Sequence, residues 1–485
     1  MDLHVTQLAE IAPKVAASRA AYDSGSTRPR AWRKATLQRM LAVIDSHEQR
    51  LLDALAADFG KHPHEAWLTE VAFVKAEIDF ALAHLGEWMA PKRVRTPLSA
   101  KPSASYLVPE PVGVVCVIAP WNYPVQLLLA PIVAAVAAGN AVVAKPSELA
   151  PHASAAVSRL IEDLDEQAIT VVEGGVAETT ELLAQRFDHI FYTGNARVAR
   201  IVARAAAEHL TPTTLELGGK SPAVVSRNAN IAVTARRIAW GKFLNAGQTC
   251  IAPDYVLVEE PVHDQLVAAL AATVKEFYGD DPQASGDFTR IVNSNHFHRL
   301  EKLLDSGTVA FGGVADADTR YISPTVLTDV SADDPVMAEE IFGPILPVLK
   351  VKSVKEAVDF VAARSTGGDV PLALYSFSDK DAENDMVVEG TSSGGVCVNG
   401  TLWHIANPHL PFGGVGESGS GAYHGRFGFD TFTHQRAVHT RSTRLDPALA
   451  YPPYTAKKQK VVRKAMTMAD PRDRLAKLRN RFRRV

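Results

Sequence analysis

From Pro111 to Leu217 the chain alternates short, continuously apolar runs with stretches of helical character, and no other feature narrows its fold as much. The apolar runs are VGVVCVIA (112–119), AVVAK (141–145), ITVVE (169–173), HIFYT (189–193) and TTLEL (213–217). A strand that is apolar at nearly every position has no solvent face, so its sheet must be covered on both sides. Helical patterns at 125–138 and near 152–163, 178–186 and 196–207 fall between these runs. Strands separated by helices of that length build right-handed βαβ units and a parallel, doubly wound sheet.

A second alternation follows: PAVVS (222–226), a helix over 231–244, a strand at 255–258 and a helix near 262–276. Later come strands near 346–350, 372–377 and 395–399, with a helix near 354–363. At about 150 residues per domain, 485 residues are too many for one core, so two α/β substructures are expected. Ahead of both, 32–59 and 66–89 keep the three-and-four spacing of helices. Residues 93–111 (RVRTPLSAKPSASYLVPEP) are rich in Pro and Ser, which predicts extended chain leaving the main body.

Composition excludes several classes. Apolar residues make up 47% and charged residues 22%, the balance of an ordinary globular chain and not of a disordered or collagen-like one. Three cysteines (Cys116, Cys250, Cys397) are too few for a disulfide scaffold and match a reducing, cytoplasmic setting. The start of the chain mixes apolar and charged residues with no secretory apolar stretch. The most apolar helical run, 125–139, would span about 22 Å against a hydrocarbon core of about 30 Å, so it is expected as a buried core helix. Net charge is −3, yet residues 451–485 carry twelve Lys/Arg and two Asp/Glu, which leaves −13 on the rest. The acidic body has no reason to seek nucleic acid. The basic tail is a solvated extension or an electrostatic module, and 461–468 has the pattern of a short amphipathic helix for peripheral contact with anionic lipid.

Open α/β sheets bind ligands beyond the carboxyl ends of their strands. The five runs place Trp121 and Asn122, Lys145 and Pro146, Gly174 and Gly175, Gly194, and Gly218 and Gly219 there. Cys250 lies in FLNAGQTCIAP, where Gly247, Gln248 and Thr249 let backbone N–H groups approach a thiolate. The plain alternative is a packed thiol, and packing suffices for Cys116 and Cys397. Glu216 in TLELGGKSP is a general base if desolvated and only a strand-end glutamate if exposed. Asn122 is an amide donor or a turn residue. Lys145 and Glu148, with Ser147 as the cap of the next helix, suit the vicinal hydroxyls of a ribose or simply open that helix. Gly414, Gly416 and Gly419 spell GxGxxG with no helix pattern behind them, so they read as a glycine loop. His62, His64 and Glu65 lack further ligands and read as a helix start; no metal site is expected.

Taken together, these residues resemble the aldehyde dehydrogenase superfamily over about 10–445. The carriers are PWNYP (120–124), AGNAVVAKPSE (138–148), FYTGN (191–195), LELGGKSP (215–222), GQTCIAPDYV (247–256), EEIFGP (339–344) and LPFGGVGESG (410–419). The stretches from 191 to 222 and from 410 to 434 are most similar to class 3, the fatty and aromatic aldehyde branch. The resemblance implies a Rossmann-like NAD(P)-binding domain (1–93 and 109–217) and an α/β catalytic domain (218–429). It also implies β excursions for oligomerisation (94–108 and 430–450) ahead of the tail 451–485.

It further implies roles. Cys250 attacks the aldehyde, Asn122 and the Cys250 N–H bind the oxyanion, and Glu216 activates the water that releases the acid. Lys145 and Glu148 would hold the adenosine ribose, Gly194 would face the pyrophosphate, and Glu340 and Phe342, with Trp121 and Gly218 nearby, the nicotinamide riboside. Tyr123, Leu127, Trp403, His404 and Ile405 would line an apolar pocket for a medium- or long-chain or aromatic aldehyde. The coenzyme would be NAD, with NADP possible, and the assembly a homodimer. One departure is Ala199, where the family usually has glycine; its methyl is expected to narrow the approach of that helix to its strand or to the cofactor. Two other outcomes stay open: transfer of the acyl group to coenzyme A, against which Glu216 argues, and a non-catalytic binding protein using the basic tail.

Overall fold

The computed structural model describes residues 5–97 and 100–467. A six-stranded sheet runs in the order Gly419–Ser420, Thr213–Glu216, His189–Thr193, Val114–Ile118, Ala141–Lys145, Ile169–Val171, parallel throughout except at Gly419–Ser420. Its three central strands are buried at every position, as their uninterrupted apolar runs require. The helix Leu8–Asp23, which carries no strong apolar pattern, adds Ile11 and Val15 to the core formed by Val114, Ala141 and Leu182.

A seven-stranded sheet runs in the order Thr308–Phe311, Thr325–Thr328, Ile345–Val351, Tyr255–Glu259, Pro222–Val225, Ala373–Phe377, Gly395–Val398. Only Thr308–Phe311 is antiparallel. That edge strand is largely exposed, which is why no apolar run announced it. Both sheets belong to one compact unit, 5–85 and 111–432, while the described residues of 86–110 and 433–467 form a second, smaller unit. The small unit contains a three-stranded sheet, Lys92–Val94, Ser103–Pro111 and Thr433–Arg441, and the basic helix Ala456–Thr467. Met468, the end of the expected amphipathic segment, and the tail beyond it lie outside the described residues, as do Leu98 and Ser99 of the excursion.

Two local expectations are corrected. Ser147 does not cap the helix after Ala141–Lys145: that helix starts at Pro151, whose fixed φ suits a first helical position, and the Ser147 hydroxyl accepts from Leu149 N–H in the preceding turn at 3.3 Å. The expected helix over 66–89 is Pro63–Ala66, a π-helical turn at Trp67–Val71 and then Ala72–Trp88. His62 sits at its start and accepts from His64 N–H at 3.1 Å, and no metal-binding cluster occurs among the described residues.

The helix Gln126–Ala138 is buried along its whole length, so water cannot satisfy its end groups. At the carboxyl end, Arg33 donates to Ala137 O at 3.1 Å and Gly139, at φ 91°, turns the chain. A Cβ at Gly139 would meet the Arg33 guanidinium at 2.6 Å. Asn140, fully buried, donates to Ala135 O at 3.1 Å and Phe432 O at 2.9 Å and accepts from Gly113 N–H at 2.9 Å. At the amino end, Glu70 accepts from Val125 N–H at 2.9 Å and Gln126 N–H at 3.2 Å. Asn140→Ala strands one buried donor and weakens two acceptors, so it should lower unfolding free energy by about 2–4 kcal/mol in a urea titration. A change near zero would mean water replaces the amide.

Candidate active site

Cys250 follows a turn that only a strained backbone can make: Asn245, Ala246 and Gly247 have φ of 53°, 51° and 73°. At Gly247 a Cβ would come within 2.3 Å of Gly343 O, so the loop after Phe342 can lie against the turn only because the residue is glycine. The side chains of Asn245 and Gln248 brace the turn from inside. Asn245 donates to Asn122 O at 2.8 Å and Gln248 O at 3.1 Å, while Gln248 donates to Arg290 O at 3.1 Å and accepts from Val292 N–H at 2.9 Å. The Gln248 N–H is spent on Asn245 O, so it is not available to the thiol as the sequence suggested; the N–H groups of Cys250 and Ile251 donate to the sulfur instead. Burial raises the Cys250 thiol well above its ordinary range, and the carboxyl groups of Glu340 and Glu216 add to the rise.

Glu216 ends the strand Thr213–Glu216 between Thr193 and Gly419. It is 2% exposed, and neither carboxyl oxygen has a hydrogen-bond partner. Burial raises it well above the ordinary 4.5. Asn122 is also buried and donates to Gln248 O at 3.1 Å, the same carbonyl that Asn245 holds.

The expected cofactor residues gather at the carboxyl edge of the six-stranded sheet. Lys145 is buried, donates to Pro146 O at 2.7 Å and lies 3.6 Å from Glu148, which stays partly exposed. Gly194 N–H donates to Glu216 O at 3.0 Å, and a Cβ there would strike the Tyr192 hydroxyl at 2.2 Å. Gly218 makes room for Glu340, whose carboxyl would meet a Cβ at 2.0 Å. Burial, then the charge of Asp254, pushes the Glu340 carboxyl up to about 8. Lys220 pins this segment, donating to Asp254 at 2.5 Å, Val336 O at 2.9 Å and Glu339 O at 2.8 Å. Phe342 meets Trp121 edge to face with centroids 5.3 Å apart. Ala199 does not crowd this edge: it is 2% exposed and packs in the core with Val202 and Leu217.

Cys250 sits on the wall of an apolar cavity with about 840 Å³ of empty volume counted out to its mouth. Tyr123, Leu127, Trp403 and Ile405 line it as expected. His404 does not. Its ring lies on Gly395, stacks with Phe412 at 6.0 Å and brings Nδ1 within 3.2 Å of Cys397 Sγ, while Leu402, Trp403, Ile405 and Ala406 on either side of it in the chain face the cavity. Burial lowers the imidazole to about 4. Cys397 is correspondingly half-buried on an edge strand and held by His404, not simply packed. Thr69, Gln126 and Thr249 are among the other lining residues, and Leu68, Phe73, Trp240, Leu244 and Phe412 add apolar surface. As single apolar residues on separate elements, they carried no sequence signal beyond ordinary core character.

Because Glu216 stays protonated in the fold but ionises on unfolding, its contribution to stability is lost as pH rises above the ordinary carboxylate range. Glu216→Gln should therefore melt about 1–3 °C higher than the parent at pH 8, with the difference vanishing near pH 4. An equal or lower melting temperature at pH 8 would mean the carboxyl is solvated.

A family model described as "Aldehyde dehydrogenase family" matches residues 2–438. Over 91% of its length the chain is 47% identical to 4,4'-diaponeurosporen-aldehyde dehydrogenase of Staphylococcus aureus, covering 96% of it. It is 48% identical to aldehyde dehydrogenase family 3 member A2 of Macaca fascicularis, over 91% of this chain and 90% of that one. A solved structure of Staphylococcus aureus AldH in a substrate-bound state superposes with a TM-score of 0.90 at 46% identity, over 93% of this chain and 98% of that one. A thiol on the wall of an apolar cavity, an unpartnered buried carboxyl whose charge acts on it, and two α/β sheets with this likeness from end to end leave no ambiguity of kinship: the chain belongs to the aldehyde dehydrogenase family, beside its class 3 members.

Proposed function

We propose that the enzyme oxidises apolar aldehydes, medium- or long-chain or aromatic, to carboxylic acids by a hydrolytic route. The carrying observation is the Glu216 carboxyl, buried without a partner and electrostatically coupled to the thiol of Cys250. Cys250 sulfur bonds to the aldehyde carbon as its proton passes to solvent water. The Asn122 amide and the Cys250 N–H receive the oxyanion. Loss of hydride from that carbon leaves a thioester on Cys250; NAD(P)+, when bound, supplies the hydride acceptor. Glu216, once it has lost its own proton to solvent, takes a proton from water as the water oxygen adds to the thioester carbon, and Cys250 sulfur departs as thiolate. The apolar wall supports the substrate class, since it offers an alkyl or aryl chain desolvation and few polar partners. The name of the staphylococcal relative, which acts on a diaponeurosporenal, points the same way.

The coenzyme edge fits NAD(P). Lys145 and Glu148 provide a donor and an acceptor for vicinal ribose hydroxyls, and the close approach at Gly218 leaves Glu340 in place to face a second ribose. Glu148 disfavours a 2′-phosphate, so NAD is the preferred coenzyme and NADP the tolerated one. A homodimer through the exposed edge strand Thr433–Arg441 is the expected assembly, at twice 52.3 kDa by sedimentation. Three unbridged thiols, one of them the nucleophile, suit the cytoplasm.

With a panel of aldehydes and NAD, the parent should turn over without coenzyme A, and Cys250→Ala should be inactive. Glu216→Gln should release one equivalent of NADH per site and then slow by about 10²–10⁴-fold. Product formed only with coenzyme A would replace hydrolysis by acyl transfer. Since Cys250 and Glu216 are both held protonated, kcat/KM should climb with pH by up to about tenfold per unit between 7 and 9. A flat profile would contradict that. Glu148→Gln should tighten NADP and weaken NAD, each by about threefold to tenfold in fluorescence titrations. Unchanged constants would remove Glu148 from the ribose site.

A further inference from the structure

The ion pair Lys61–Glu70 lies outside the chemistry just described. Its partners are 2.9 Å apart, and neither side chain has any exposure. Such a pair gains little net stability over apolar residues of the same volume, because both charges lose their water. What it does have is a set of directed contacts. Glu70 Oε1 faces Lys61, while Oε2 receives the N–H groups of Val125 and Gln126 at the start of the buried helix, where a helix dipole favours a carboxylate. The Lys61 ammonium lies 4.6 Å from the centroid of the Tyr123 ring. The π-helical turn at Trp67–Val71 inserts a residue, so Leu68 and Thr69 reach the cavity while Glu70 points to the helix start.

The same segment is tied to the nucleophile loop. Tyr123 Oη and Thr249 Oγ1, the hydroxyl beside Cys250, are 2.7 Å apart. Asn245 N–H donates to Glu65 at 3.0 Å, and the Asn245 amide donates to Asn122 O at 2.8 Å. Residues 122–126 are thus held from one side by Lys61 and Glu70 and from the other by the turn that carries Cys250.

We infer that Lys61 and Glu70 are positioning residues: by fixing the helix start and the Tyr123 ring, they set where the Asn122 amide stands relative to the Cys250 sulfur. Neither touches substrate. The inference rests on the hydrolytic reading above, in which Asn122 receives the oxyanion. A displacement of about 1 Å in a donor of that kind lowers a rate by about 10²-fold.

Lys61→Met combined with Glu70→Gln removes both charges and keeps the volume. The readouts are the rate of NADH formation in the first turnover (the burst), KM for a short aldehyde, and NAD affinity by fluorescence. The burst should slow by about 10- to 100-fold, with KM and NAD affinity within about threefold of the parent. In an Asn122→Ala background the same pair of changes should add less than about threefold, because the donor being positioned is gone. A parental burst in the pair variant overturns the inference, and so does a loss that multiplies undiminished with Asn122→Ala. If the pair variant does not fold, Glu70→Gln alone, which keeps an oxygen for Val125 and Gln126, carries the same cycle with an expected loss of about 3- to 10-fold. A parent enzyme that forms product only when coenzyme A is added would instead sink the hydrolytic reading itself.

Discussion

A helix buried on every face must have its ends satisfied by protein, and in this molecule that requirement organises the active site. Gln126–Ala138 lies wholly inside the fold. Arg33 and Asn140 serve its last carbonyls, and Glu70 serves its first N–H groups. Each ionic partner has the sign that the helix dipole favours at its end. Through these contacts the long amino-terminal helices, which contribute no reacting group, hold the segment that carries Asn122 and Tyr123. The segment that carries Asn122 and Tyr123 is therefore held in part by residues outside it.

The second constraint is electrostatic. Cys250, Glu216 and Glu340 are gathered where water is scarce, and each raises the proton affinity of the sulfur. A resting protein of this kind holds a neutral thiol and a neutral acid, unreactive until a proton is lost. Two backbone N–H groups on the sulfur work in the opposite direction. The desolvation that delays ionisation also makes Glu216 a stronger base once it has ionised. Slow resting chemistry and effective hydrolysis thus share one physical origin.

Much of this was legible in the chain. Strands buried on both faces declare themselves by uninterrupted apolar runs, so the parallel sheet and its ligand edge followed from composition along the sequence. Cys250 and Glu216 stood out because each is a reactive type in an otherwise small or uncharged stretch. What could not be read was orientation. His404 sits between two cavity residues, yet its ring packs onto Gly395 and Cys397 in a tight turn whose course the sequence does not show. Ser147 has a capping side chain, yet Pro151 sets the start of the helix. Of the two directions open to the Ala199 methyl, the strand side and the coenzyme side, the fold takes the first and buries it in the core. Lys61 and Glu70 gave no signal because the two ends of the pair are ordinary surface types, and only the fold takes them out of water.

The central claim is that a carboxyl deprived of partners releases an acyl group held on Cys250. The direct measurement is the mass of Glu216→Gln protein after brief exposure to a medium-chain aldehyde and NAD, followed by peptide mapping. One acyl group on the peptide that contains Cys250 is the predicted result. An acyl group on another residue, or a bare Cys250 peptide in protein that has produced its equivalent of NADH, would contradict the account.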